Sequence, residues 1–271
     1  MKINNFSLLL SLLLLVSFTS SCEQKKAKPQ KEKTTIILVH SAWLGGWQWK
    51  ETISHLDHET LHVIAPDLEG HGSDKTPPNE ITMDDYVNQL VELIDAEEKP
   101  VVLVGHSFNG ITISRVAELR PKKVKKLIYL TAFLVPNGTS FSSAVKGVKD
   151  SKAVENFYLS EDKSYALVNE EAMHEAFAHD IPLENFNAAK PYIVPEPSAP
   201  LSYALKVSDD NFGKIPKYYI ECTEDRAIPI EVQRAMYKGK VKKHFSLMAS
   251  HTPNFSKPDS LAYLLKKIIL K

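Results

Sequence analysis

No charge of one sign dominates this chain. Its 271 residues hold 33 Lys and Arg against 33 Asp and Glu, so no surplus of positive charge is available to grip a phosphate backbone, and nucleic acid is excluded as the main partner. Cysteine is nearly absent. Of the two, Cys22 lies near the start and Cys222 lies inside an apolar, strand-like run, so no intrachain disulfide framework is expected. The longest uninterrupted stretch rich in apolar residues, Phe6 to Phe18, is 13 residues and falls short of a comfortable membrane span. Only 10 Gly and 16 Pro are present, which excludes collagen-like and low-complexity chains. What remains, 43% apolar and 24% charged, is globular composition long enough to close one large core.

The overall neutrality conceals an asymmetry. Residues 1–33 carry six Lys and two Glu, which leaves the remaining 238 residues near −4. Lys2, the apolar run to Phe18 and the small residues Thr19-Ser20-Ser21 form the three regions of a secretory signal over 1–22. The placement of Cys22 resembles a bacterial lipoprotein signal, in which the cysteine becomes the acylated first residue, although Thr19 stands where Leu is usual. An ordinary cleaved signal followed by a free cysteine is the alternative. Residues 23–33, rich in Lys, Gln and Pro without apolar periodicity, read as a solvated tether. The expected location is therefore the bacterial cell envelope after export, with the membrane touched only through lipid on Cys22.

From Thr34 to the end, short β-branched runs alternate with amphipathic stretches, the pattern of an α/β fold with a mostly parallel sheet and helices on both faces. Strands are expected at 36–39, 61–65, 101–104, 124–130, 218–222 and 244–247. Helices are expected at 49–56, 82–94, 107–119, 229–237 and 258–270. Thr82 with Asp85 three residues on reads as a capping box. Between about 136 and 212 the alternation lapses, with helix-like pieces at 169–178 and 203–207, and the segment reads as a helical cap inserted into the 34–271 domain.

The chemistry concentrates at the ends of these strands. Val101-Val102-Leu103-Val104-Gly105-His106-Ser107-Phe108-Asn109-Gly110 sets a serine at a sharp junction of buried strand and helix, which strains its backbone and lifts its hydroxyl above the sheet. The tight approach calls for small residues two before and two after the serine. Gly105 meets the first requirement; Asn109 stands at the second, with Gly110 one place late. An attacking serine needs a base, and the base needs a carboxylate to orient it. Asp225 follows the run 218–222 and His251 follows 244–247, so both fall at the strand ends that Ser107 occupies; Glu224 competes for the acid role. For the oxyanion, the N–H groups of Ala42 and Phe108 are the expected donors.

These residues resemble the α/β-hydrolases, in the branch of plant methyl esterases, hydroxynitrile lyases and related bacterial esterases. The likeness is carried by Val39-His40-Ser41-Ala42-Trp43-Leu44-Gly45-Gly46-Trp47, Val63-Ile64-Ala65-Pro66-Asp67-Leu68, Gly70-His71-Gly72, Val104-Gly105-His106-Ser107 and Tyr219-Ile220-Glu221-Cys222-Thr223-Glu224-Asp225. It implies Ser107 as nucleophile, Asp225 as orienting acid and His251 as base, acting on a small-molecule ester with no cofactor and no metal. Ser41, Trp43 and Phe133 are expected to contact the substrate; Phe141, Phe157, Phe177 and Tyr203 serve either its pocket or the cap's own core.

Two departures bear on the activity. Ser41 puts a hydroxyl where the lyases carry Thr and esterases commonly carry Gly. The lyases also place a Lys directly after the catalytic His, and this chain has Thr252, whose neutral hydroxyl cannot replace that positive charge. Ester hydrolysis is the reading favoured; a hydroxynitrile-lyase-like reaction and a non-catalytic small-molecule binding protein are its alternatives.

Overall fold

The central strands form where apolar runs are long enough to be buried on both faces. In the computed structural model, which describes residues 32–270, the strands are β1 (Thr34–Val39), β2 (Leu61–Ile64), β3 (Val101–His106), β4 (Val124–Leu130), β5 (Phe157–Leu159), β6 (Tyr165–Val168), β7 (Glu196–Pro197), β8 (Lys217–Cys222) and β9 (Lys243–Leu247). Six of them make one sheet in the order β2-β1-β3-β4-β8-β9. Every pairing in it is parallel. The signal at 1–22, Cys22 and residues 23–31 of the tether lie outside the described residues.

Because successive side chains point to opposite faces, each central strand feeds two cores. Ile37, Val39, Leu103, Leu127 and Tyr129 pack on one side with the helices Met83–Ala96, Gly110–Leu119 and Ile230–Tyr237. Ile36, Leu38, Val102, Val104, Ile128 and Leu130 pack on the other with Lys50–Ser54 and Pro258–Ile269. Both cores are built from residues 36 onward. The six-stranded sheet runs parallel throughout, so the carboxyl ends of all its strands gather at one end, and the loops carrying Ala42, Ser107, Asp225 and His251 meet there.

The 136–212 segment differs from its sequence reading in two respects. It contains a small antiparallel sheet, β5-β6-β7, where only helices were expected. Its strands are two to four residues long, too short to imprint alternation on the sequence. The expected helix at 203–207 is extended chain, and a short helix occupies Ser198–Ser202 instead. Leu205 is buried while Ala204 and Lys206 are exposed, so the apolar spacing at Tyr203, Leu205 and Val207 has period two rather than helical period. Backbone bonds from Gly138 to Leu205 and from Leu205 to Thr139 hold this stretch down.

Candidate active site

The serine sits where the junction places it. Ser107 has φ 56°, a left-handed conformation that costs a non-glycine residue strain, and it is 6% exposed. The strained turn is locked from below. A Cβ on Gly105 would come 2.7 Å from the Asn109 carbonyl oxygen, and one on Gly110 would come 2.6 Å from that of Phe133. The second small residue demanded by the close approach is therefore Gly110, and Asn109 is free to carry a side chain. That side chain donates from Nδ2 to the His40 carbonyl at 2.7 Å and accepts the Thr112 hydroxyl at 2.6 Å. Asn109 thus ties the serine's helix to the 40–47 loop.

Three side chains expected from separate loops meet in one line. The hydroxyl of Ser107 lies 2.9 Å from His251 Nε2, and His251 Nδ1 lies 2.7 Å from Asp225 Oδ2. Asp225 is held by the N–H groups of Ala227 and Ile228, at 2.7 and 2.8 Å, and by the Thr131 hydroxyl. Glu224, its competitor in sequence, is exposed. An acid held by donors on both oxygens is fixed in place and orients the imidazole bonded to it. His251 can then accept the serine proton on Nε2.

The ring of His251 lies between His106 (centroids 5.0 Å apart) and Phe177 (5.6 Å). His106 donates from Nε2 to the His251 carbonyl at 2.8 Å and accepts Gln48 Nε2 at 3.1 Å; Gln48 Oε1 in turn accepts the Ser41 N–H. Burial, together with the neighbouring His251, holds the His106 pKa well below the ordinary histidine range, so the relay is uncharged. Sequence reading saw His106 only as the serine's neighbour. A polar residue on the last position of a buried strand was the signal for more.

Ala42 and Phe108, the expected oxyanion donors, flank this line. Phe108 follows Ser107 in the first turn of its helix, where an N–H has no carbonyl one turn behind it. Neither N–H bonds another loop or a side chain among the described residues. The Ala42 loop is fixed by its successor. Trp43, at φ 64°, donates its N–H to Glu196 Oε2 at 3.0 Å, its indole N–H to the Ala166 carbonyl at 2.9 Å, and accepts the Val194 N–H at 2.9 Å. All three partners belong to the 136–212 segment.

Glu196 went unnoticed in the sequence because nothing marks a lone carboxylate as buried. It is 0% exposed and also receives His71 Nε2 at 2.9 Å and the Tyr86 hydroxyl at 3.2 Å. His71 Nδ1 lies 3.0 Å from the Glu69 carbonyl. With oxygen acceptors facing both nitrogens, the site favours a proton on each. Burial opposes that charge, but Glu196 outweighs it and the His71 pKa is raised.

Two cavities open on Ser107 and His251. The larger, about 210 Å³, is lined by Met173, Phe177, Ile181, Phe186, Ile193 and Phe255 among others, with Ser41, Ala42 and Trp43 at its base. The smaller, about 50 Å³, is lined by Phe133, Phe141, Val145, Val154, Phe157 and Ile228. Trp43 and Phe177, centroids 5.6 Å apart, border both. Ser41, Trp43 and Phe133 are all at the cavity walls; Tyr203 packs in the core instead. The Thr252 hydroxyl donates to the Phe177 carbonyl at 2.8 Å, and that of Ser41 lies 3.2 Å from both the Ala42 carbonyl and Gln48 Oε1. Among the described residues no group of three or more His, Cys, Asp or Glu is arranged to hold a metal.

Comparison with known proteins agrees with this geometry. The model of the alpha/beta hydrolase family matches residues 36–262. The putative chloroplastic methylesterase 11 of Arabidopsis thaliana is 32% identical over 250 residues, 88% of this chain, and the chain spans 64% of that protein's length. Methylesterase 7 of the same plant is 31% identical over 246 residues, 86% of this chain and 95% of its own. The crystal structure of a pyrethroid hydrolase from Sphingobium faniae JZ-2 superposes with a TM-score of 0.80 at 29% identity, covering 87% of this chain and 97% of that one. The chain therefore belongs to the alpha/beta hydrolase family, in the branch of carboxylic ester hydrolases that holds the plant methylesterases and the bacterial pyrethroid hydrolases.

Proposed function

We propose that the protein hydrolyses small, uncharged and largely apolar carboxylic esters through an acyl-enzyme on Ser107. His251 Nε2 takes the hydroxyl proton as Ser107 Oγ attacks the carbonyl carbon. The tetrahedral oxyanion is held by the N–H groups of Ala42 and Phe108, and Asp225 balances the imidazolium. His251 then returns the proton to the departing alkoxide, and the acyl group stays on Ser107. Water, deprotonated by the same nitrogen, repeats the attack and frees the acid. The continuous line from Ser107 through His251 to Asp225, at 2.9 and 2.7 Å, carries this reading. Carbon-lined walls on both cavities favour apolar groups on both sides of the ester, with the longer one in the larger cavity.

The segment 136–212 acts as a cap over this site, contributing Met173, Phe177 and Phe186 to the larger cavity. A cyanohydrin-cleaving reaction is disfavoured, because the Thr252 hydroxyl is turned into a backbone carbonyl and offers no positive charge to a leaving cyanide. Upstream, residues 1–22 act as a lipoprotein signal and Cys22 carries lipid, which would hold the enzyme at a bacterial envelope membrane. Two measurements test these assignments. Ser107→Ala reduces hydrolysis of a nitrophenyl ester to background and abolishes labelling by a fluorophosphonate; turnover near the wild-type rate would refute the nucleophile. Cys22→Ser abolishes incorporation of labelled fatty acid; unchanged incorporation would refute the anchor.

A further inference from the structure

The end of the sheet opposite the ester site has a composition of its own. Strands β4, β8 and β9 begin there, and so does the described part of the chain, with Thr34 opening β1. The turn into β4 reads Pro121-Lys122-Lys123-Val124-Lys125-Lys126, and the turn into β9 reads Lys238-Gly239-Lys240-Val241-Lys242-Lys243. Register makes them neighbours: Leu127 pairs with Lys217, Tyr218 pairs with Lys243, and the Lys242 N–H donates to the Lys217 carbonyl. Lys122, Lys125, Lys238, Lys240, Lys242 and Lys243 are exposed, and none forms a salt bridge among the described residues. Their mutual repulsion is felt by Lys126, whose pKa is lowered by burial and then by Lys125 and Lys242. The carboxylates nearby are engaged elsewhere: Asp95 pairs with Arg120, and Glu97 accepts the Thr35 hydroxyl and faces His62. Glu98 and Asp209, whose charge is felt at Lys217, remain.

Charge of the other sign collects at the opposite pole. Residues 136–207 hold ten acidic residues against six lysines and no arginine. A body near −4 overall thus keeps six exposed lysines without ion pairs together on the face away from the site.

We propose that this lysine face, formed by the turns 121–126 and 238–243, docks on an anionic lipid surface and turns the ester site toward the aqueous side. The orientation rests on the reading of Cys22 as lipidated; the binding itself rests on the lysines. Three observations favour lipid over other polyanions. The cations lie on two short turns rather than along a groove that could follow a phosphate backbone. No lysine or arginine lines the ester-site cavities. The leader, which joins the domain at this same pole through Thr34, is itself basic, with Lys25, Lys26, Lys28, Lys31 and Lys33. Lysines at an anionic bilayer act additively, by roughly fivefold in affinity each, and are screened by salt.

The test separates the face from the anchor. Chains starting at residue 32, which contain both cores and neither Cys22 nor most tether lysines, are sedimented with vesicles of pure phosphatidylcholine or with one-third phosphatidylglycerol. Binding is expected to the anionic vesicles only, at least tenfold weaker at 300 mM than at 50 mM salt. Replacing Lys238, Lys240, Lys242 and Lys243 together by Glu is expected to abolish it, with ester turnover within twofold of the parent. Should that variant not fold, Lys122→Glu with Lys125→Glu is expected to weaken binding at least tenfold. Equal binding to both vesicle types, unchanged binding by a folded variant, or tighter binding to duplex DNA than to anionic vesicles would each overturn the proposal. Loss of fatty-acid incorporation in Cys22→Ser together with retained vesicle binding by the short chain would place the failure in neither reading. Absent incorporation in the wild-type chain would remove the anchor and leave the face standing.

Discussion

At the scale of single residues, Asn109 and Glu196 carry more than their positions in the sequence suggest. Asn109 departs from the small residue expected two places after the serine, yet its amide joins the serine's helix to the oxyanion loop. Asn109→Gly is expected to restore nothing. It should lower stability by about 1–2 kcal/mol, from a lost buried hydrogen bond and added chain entropy, and leave turnover no higher than wild type; urea unfolding and ester assays check both. Glu196 holds the backbone of Trp43 next to the Ala42 donor. Glu196→Ala should reduce kcat by roughly tenfold to a hundredfold with KM little changed, since a small displacement of an oxyanion donor acts on the transition state. Glu196→Gln keeps an oxygen toward Trp43 and His71 and should recover most of the rate. A rise in KM with unchanged kcat would contradict the positioning role. Neither residue could be assigned from sequence, because hydrogen bonds between segments far apart leave no local pattern.

At the scale of elements, what was legible follows from burial. The inner strands β1, β3, β4 and β8 were found because a strand covered on both faces is largely apolar, as in Ile36-Ile37-Leu38-Val39; the edge strands β2 and β9 showed only as short β-branched or aromatic runs. Ser107 and Asp225 were findable for the same reason, each following such a strand, whereas His251 follows the exposed edge strand β9 and was found by its order after the other two. The cap was the illegible part. Its strands are too short for periodicity, and the extended stretch at 203–207 imitates a helix when five residues are read alone. Helix ends were read where side chains state them. The Asp85 carboxylate accepts from the Thr82 N–H at 2.7 Å and from its hydroxyl at 2.6 Å, at the start of Met83–Ala96. Asp85→Ala should therefore cost about 1 kcal/mol in thermal or urea unfolding with activity unchanged.

At the scale of the whole molecule, buried histidines set the acid limit of stability. His40 is 0% exposed, and burial, with the nearby charge of His71, lowers its pKa to about 3. His106 is lowered in the same direction. An unfolded chain takes up protons on both as pH falls through about 6.5, while the folded chain does not. Folding stability is thus fully present above that value and lost as the medium is acidified, by about 1.4 kcal/mol per pH unit for each group. His71, raised rather than lowered, contributes the opposite slope only at higher pH, where its charge is lost. Urea midpoints measured from pH 7 to pH 5 should fall steadily; a flat profile would show that these rings are already hydrated.

The three hydrogen bonds from Trp43 into the cap have a consequence for how the enzyme meets insoluble substrates. On the proposed assignment of Ala42 to the oxyanion, a 136–212 segment fastened to that loop cannot swing away without dismantling catalysis. Ester molecules must therefore arrive singly, through a fixed mouth. The rate should follow the dissolved concentration along one saturating curve and level off at the solubility limit, with no upward jump when droplets form.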